Sequence, residues 1–199
     1  MEKRRRGRPR EYDRETALNS AMQVFSSKGF AATSLDDLVA VTGMNRPSLY
    51  NAFGDKEAIY RQTLDHFIVG LRNEIGRLVG AQTDLKTALS AFYKGALEEY
   101  FSVRPARGCF AFCTAPVEAI THPEFRRDIK ALVDELDALL ESKFAAAQAS
   151  GDLAAAVDPR AAAKLAQGIL HSLAIRSRAG ESKASLLRMA DSAVEMLCG

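Results

Sequence analysis

Between Thr33 and Ile59 the chain reads "TSLDDLVAVTGMNRPSLYNAFGDKEAI", and this stretch restricts the fold more than any other. Ser34 with Asp37 three residues later has the form of a capping box, with Asp in place of the usual Glu. A short helix is therefore predicted from Leu35 to Val41, ending at Thr42-Gly43. Asn45 is a natural N-cap, and Pro47 fits a first turn, where its missing N–H costs little. A second short helix follows, to Phe53-Gly54, and Asp55 caps a much longer one. Upstream, Ala17, Leu18, Ala21, Val24 and Phe25 recur at helical spacing from Arg14 to Lys28, and Gly29 stops them. A longer helix followed by two short ones around a tight Gly-containing turn is the helix-turn-helix layout. A three-helix bundle that binds nothing would use Ala40, Gly43 and Leu49 equally well; Leu38, Val39, Leu49 and Phe53 are read as core.

The rest of the 199 residues is helical by the same reading. Ala is abundant and β-branched runs are few. Helices are predicted over 85–102, from "RGCFAFCTAPVEAI", and over 123–149. Two more follow, over 159–178, where Asp158-Pro159 marks a strong start, and over 183–197. The fold class is all-α with about nine helices. Its domains are a basic arm over 1–12, a helix-turn-helix domain over 13–60 and a larger helical ligand-binding and dimerisation domain over 61–199.

Charge is uneven along the chain. The total is +2, yet residues 1–12 hold six Lys/Arg against two Glu, and residues 13–60 hold four against six Asp/Glu. A charge-based argument for nucleic acid therefore rests on the arm. No stretch of eighteen apolar residues predicts a membrane span, and no apolar run follows the basic start as in a secretory signal. Three cysteines, an odd number, suit a reducing cytoplasm better than a disulfide framework. No nucleophile–base pair, metal-ligand spacing or cofactor motif stands out. A helical-bundle enzyme or carrier of small hydrophobic molecules is thus the weaker class, and a DNA-binding architectural protein that senses nothing is a further alternative.

The segment "LVAVTGMNRPSLYNAFGDKEAI", Leu38 to Ile59, resembles the DNA-binding signature of the TetR family of bacterial transcriptional regulators. Val39-Ala40, Gly43, Leu49-Tyr50, Phe53 and Lys56-Glu57 stand at that family's spacing, and "AMQVFSSKGFAATSLDDL" looks like its first helix and link. About 50 residues carry the resemblance. It implies a homodimeric regulator, most often a repressor, released from a palindromic double-stranded operator by a small-molecule effector that lodges among the helices of the larger domain. Pro47 and Ala52 depart from the family pattern. Pro47 removes a backbone donor and Ala52 shortens the reach, so a known operator does not transfer.

On this reading the recognition helix runs from Asn45 to Phe53. Arg46 can bond guanine O6/N7 bidentately, Ser48 can donate or accept, and Asn51 lies one turn on. Tyr50 and Lys56 resemble the family's phosphate-contacting pair, and Thr33 and Ser34 can add hydroxyl contacts or act purely as caps. In the arm, Arg6-Gly7-Arg8-Pro9 matches the core of an AT-hook, with Arg6 and Arg8 suited to a narrow minor groove.

In the larger domain the candidate pocket residues are Phe67, Phe92, Tyr93, Phe110, Cys113, Val117, Phe125 and His171. Phe110, Cys113 and Val117 share a helical face by their spacing. A lone His171 in an apolar helix reads as a satisfied core residue, or as one of few polar groups in a pocket. Cys109 and Cys113 are read as buried structural thiols. The alternative is a redox- or electrophile-sensing regulator of the same fold, with Cys109 activated by Arg104 and Arg107. The dimer surface is predicted from Leu165, Ile169 and Leu173 in one helix and Leu186, Leu187, Ala190, Val194 and Leu197 in the next, with packing inside one chain as the competing use.

Overall fold

The structure, a computed structural model, describes residues 13–80 and 84–199. Within them lie nine α-helices: α1 (Arg14–Ala32), α2 (Leu35–Thr42), α3 (Arg46–Phe53), α4 (Lys56–Ile75), α5 (Leu85–Tyr100), α6 (Phe110–Glu118), α7 (Pro123–Ser150), α8 (Pro159–Arg178) and α9 (Lys183–Cys198). A π-helical turn, Gly76–Gly80, extends α4. The chain divides into two compact units, one ending at Thr63 and the other running from Leu64 to Gly199. The predicted arm, with Arg6 and Arg8, lies outside the described residues.

The first unit is held by an aromatic cluster. Tyr60 sets its ring edge-on to Phe25 and Phe30, at 5.0 and 5.1 Å between centroids. Phe25, Leu38, Leu49, Phe53 and Tyr60 are all buried. Aromatic pairs in this geometry add about 1 kcal/mol beyond the area they bury. Gly29, at φ 78° and ψ 170°, breaks α1 without ending it, so that Phe30 turns back onto the cluster. The two short helices are set by their caps. Ser34 Oγ accepts from Asp37 N–H, and Asp37 accepts from Ser34 N–H, completing the capping box. Asn45 accepts from Ser48 N–H. Between them Gly43 takes φ +66°, a left-handed turn that a β-carbon would strain.

In the second unit α5 packs against α8, α9 and α7, and α6 packs against α7 and α8. Leu89, Phe92, Tyr93, Leu97, Phe125, Phe144, Leu173 and Leu186 form its core. The Tyr93 hydroxyl donates to the Ala166 carbonyl at 3.0 Å, tying α5 to α8, and burial pushes that phenol well above the usual range for tyrosine. The Gln167 amide donates to the Val133 carbonyl at 3.0 Å, tying α8 to α7. No helix of the described residues is long and apolar enough to cross a membrane.

Candidate DNA-reading surface and sensor core

Helix α3 buries Leu49 and Phe53 and turns its other side outward. Asn45, Arg46, Pro47 and Asn51 are exposed, and Tyr50 is 46% exposed although its neighbour Leu49 is buried. Arg46 donates through Nε (3.1 Å) and Nη2 (2.7 Å) to a single oxygen, Oδ1 of Asp36 on α2. The helix is fixed at its other end by residues outside the motif. Arg14 lies 4.9 Å over the Phe53 ring and donates to the Ala52 carbonyl. The Gln62 amide donates to the Phe53 carbonyl at 2.7 Å, and Arg14 also bonds Gln62. Two carbonyls in the last turn of α3 thus find side-chain partners on α1 and α4. A helix end otherwise leaves such groups to solvent.

Three predicted phosphate contacts are redirected by the structure. Thr33 is buried, and its hydroxyl donates to the Gly29 carbonyl at 2.6 Å, because its backbone caps α1 and turns the side chain inward. The Ser34 hydroxyl serves the capping box, donating to Asp37 at 2.9 Å. Lys56 stands 4.5 Å over the Phe30 ring and donates to the Phe30 and Ala31 carbonyls at 3.1 and 3.4 Å. Its ammonium supplies the C-terminal end of α1 with the cation that a helix dipole favours there. Asp37 is held well below the usual carboxylate range, at about 2, first by its bond from Lys28 and then by the amide and hydroxyl of Ser34.

The predicted pocket residues separate into groups. Phe92, Tyr93 and Phe125 are buried in the core. Phe67 meets Phe110 edge-on at 5.6 Å. His171 lies 4.2 Å from Phe112, a ring that the spacing argument passed over, and Cys113 is partly exposed on the same helix. Val117 does not join Phe110 and Cys113: it is 71% exposed, in the last turn of α6, which faces solvent. Nor is His171 a satisfied core histidine. Its Nε2 is buried without a hydrogen-bond partner, as is Oδ1 of Asp137 on α7. Burial lowers the His171 pKa, and the charge of Asp137 opposes that shift. Asp137 carries no sequence signal among the many acidic residues of α7.

The thiols divide between the two readings. Cys109 is buried, and burial pushes it up to about 12, so Arg104 and Arg107 do not activate it. Burial also raises Cys113, but here the Arg178 guanidinium opposes it. Arg178 meanwhile donates to the Arg107 carbonyl at 3.0 Å. Gly108 fixes this junction. At φ +67° a β-carbon there would stand 2.4 Å from the Ala174 carbonyl oxygen and 2.8 Å from Cys113 Sγ.

On α8 and α9 the predicted partner surface splits in two. Leu173, Leu186, Ala190 and Val194 are buried within the chain. They face α5 and each other's helix, so intrachain packing accounts for them. Leu165 is 64% and Ile175 62% exposed, Met196 is exposed, and Ile169, Leu187 and Leu197 are partly so.

Two family models match the chain. The model for bacterial regulatory proteins of the tetR family covers residues 17–63, and the tetracyclin repressor-like C-terminal domain covers 85–193, more than half of the chain. The chain belongs to the TetR family. It is therefore a DNA-binding transcriptional regulator with a helix-turn-helix domain. This TetR-family protein is 28% identical to the HTH-type transcriptional repressor ComR of Escherichia coli (strain K12) over 98% of its own length and 93% of that protein's. Over 43% of its length, and 41% of that protein's, it is 30% identical to the HTH-type transcriptional activator FasR of Mycolicibacterium smegmatis. Among solved structures it resembles the TetR-family regulator CifR, a cysteine mutant complexed with 26-bp double-strand operator DNA. The TM-score is 0.81 and the identity 27%, with 94% of this chain and 98% of that one covered.

Proposed function

We propose that this TetR-family regulator is a homodimeric repressor that reads a palindromic operator with α3 and leaves it when a small molecule occupies the second unit. The observation that carries the proposal is α3 itself. It is capped at one end by Asn45 and clamped at the other by Arg14 and Gln62, and between them Arg46, Tyr50 and Asn51 face outward. Arg46 and Ser48 supply base-edge contacts and Tyr50 a phosphate contact. The exposed apolar residues Leu165 and Ile175 supply the partner surface, which sets two α3 helices on one two-fold axis. ComR and the DNA-bound CifR support repression and operator binding; FasR shows that activation also occurs among the relatives. Such a regulator works in the cytoplasm, and its role requires no catalytic step.

The effector reading rests on Asp137 and His171. Two buried polar atoms without partners cost about 1–3 kcal/mol each unless something meets them. A small molecule that hydrogen-bonds to them against the Phe112 ring does so. Its binding shifts the population away from the DNA-bound arrangement. Selection of bound duplexes from a random pool by the full chain tests the first half. A two-fold-related site is expected, and enrichment of no such site overturns the dimeric reader. Release of that site by compounds from a metabolite extract tests the second half. A metabolite extract that releases no DNA from the wild-type chain removes the sensor.

A second reading has its own observation. Cys113, partly exposed beside Arg178, is better placed than Cys109 to react with an electrophile. Alkylation by iodoacetamide followed by peptide mass mapping should label Cys113 ahead of Cys109. Equal protection of both thiols in the native chain removes this reading and leaves the non-covalent one standing.

A further inference from the structure

The Asp36 carboxylate and the Arg46 guanidinium join the first turns of α2 and α3 through one three-centre contact. We propose that Asp36 is a positioning residue for base reading: it holds Arg46 with its end-on edge turned outward, towards guanine. The inference rests on Arg46 being a base reader, as proposed above.

The argument is one of donor bookkeeping. A guanidinium has five N–H groups in a rigid plane. Asp36 Oδ1 takes the Nε–H and the Nη2–H beside it, at 3.1 and 2.7 Å. The contact leaves the two N–H groups of Nη1 and the second one of Nη2. The edge formed by Nη1 and Nη2 presents two parallel donors, the pattern that guanine O6 and N7 accept in the major groove. Contact with the other edge, by contrast, is used up. The carboxylate therefore does not compete with the base; it chooses which edge the base meets.

The placement of Asp36 is itself determined. It is the second residue of α2, whose N-terminus favours a carboxylate. Its neighbour Asp37 is already engaged by the capping box and by Lys28 at 2.6 Å. The two adjacent acids thus divide the work, Asp37 holding α2 and Asp36 holding Arg46. Asp36 is also the reason that an Arg at the exposed start of α3 does not sample its many rotamers freely. A long side chain pre-set in one geometry loses less freedom on binding.

The test is selection of bound duplexes by the full chain, run in parallel for wild type, Arg46→Ala, Asp36→Ala and Asp36→Asn, with melting curves to confirm folding. Arg46→Ala should flatten the preference at one base pair of each half-site. Asp36→Ala should lower discrimination at that same pair by about tenfold, the size of a lost bidentate contact, and leave other positions and the salt slope unchanged. Asp36→Asn, whose amide oxygen still accepts from Nε, should fall between. If Asp36→Ala leaves that base preference intact, or tightens binding to every sequence alike, Asp36 acts only as a charge and the inference fails. If Arg46→Ala flattens no position, Arg46 is not a reader and the underlying assignment fails first.

Discussion

The Arg14 guanidinium lies 4.9 Å over the ring of Phe53, joining the first residue of α1 to the last residue of α3. The same side chain donates to the Ala52 carbonyl and bonds Gln62, which in turn donates to the Phe53 carbonyl. α3 is only two turns long and buries only Leu49 and Phe53, so this clamp adds to the packing that fixes its tilt. Arg14→Ala should cost about 1 kcal/mol, the size of one exposed cation–π contact with its hydrogen bond. Because the whole helix loosens, operator affinity should fall for all sequences together. Denaturant melts and titrations against operator and scrambled duplex would show this. A loss confined to one base pair would mean that Arg14 reads DNA itself.

Asp37 makes the first unit sensitive to acid. Its carboxyl titrates at about 2 in the folded chain against an ordinary 3.8, because Lys28 and Ser34 bond the charged form. A depressed carboxylate pKa contributes stability that is complete above the unfolded value and fades as pH falls through the folded one. Stability of the wild type should therefore decline between about pH 4 and pH 2 more steeply than that of Asp37→Asn, which lacks the titration. Circular dichroism melts across that range measure the difference, and parallel curves for the two proteins would show that the capping carboxylate contributes nothing.

Local signals made much of this architecture readable. Ser34 with Asp37, Asn45 and Asp158-Pro159 each act within four residues, and each cap stands where its spacing put it. Gly29 is expected to stop the first helix; the structure breaks α1 there but carries it on to Ala32, which lets Phe30 reach Tyr60. The unread part depends on contacts far apart in sequence. Lys56 meets the Phe30 carbonyl 26 residues away, and Arg14 meets Ala52 across 38. No periodicity encodes such pairs. For Cys109 the main reading, a buried structural thiol, agrees with the structure; the alternative, activation by its arginine neighbours, fails because burial dominates the thiol. Exposure on α8 divides residues that share one apolar pattern, because α5, α7 and α9 cover only part of that helix.

Gly108 should be the least replaceable glycine of the second unit. A β-carbon there meets a backbone oxygen of α8 at 2.4 Å in a backbone conformation of φ +67°. Side-chain rotation relieves neither. Gly108→Ala should cost about 3 kcal/mol, in the range of forced overpacking with backbone strain. Gly151→Ala serves as the control, since it has positive φ (+84°) but nothing within 4 Å. Thermal melts should therefore separate the two variants. Equal losses would assign the whole effect to φ and none to the α6–α8 junction.

The partner surface can be separated from the core by choosing exposed and buried residues of α8. Leu165 and Ile175 are exposed, whereas Leu173 is fully buried. Leu165→Glu with Ile175→Glu should leave the single chain folded and shift the species seen by light scattering from dimer to monomer, with operator affinity lost as the two-fold reader is lost. Leu173→Ala should instead cost about 2–5 kcal/mol of chain stability, as cavity-forming substitutions do. A double Glu variant that stays dimeric would move the interface elsewhere.

The arm supplies the remaining test. Residues 13–60 hold six acidic against four basic side chains, and all four cations are already engaged: Arg14 with the Ala52 carbonyl and Gln62, Arg46 with Asp36, Lys28 with Asp37 and Lys56 with the carbonyls of α1. The reading unit therefore has little cationic charge to spend on phosphate, while residues 1–12 carry six Lys/Arg. Each phosphate that a Lys or Arg neutralises steepens the fall of log K with log salt by about one. Deleting residues 1–10 should thus flatten that slope by several units and weaken binding to operator and scrambled duplex alike, leaving the base preference set by α3. An unchanged slope would show that the first unit draws its phosphate contacts from its own residues, with Lys56 released from Phe30 as the first candidate.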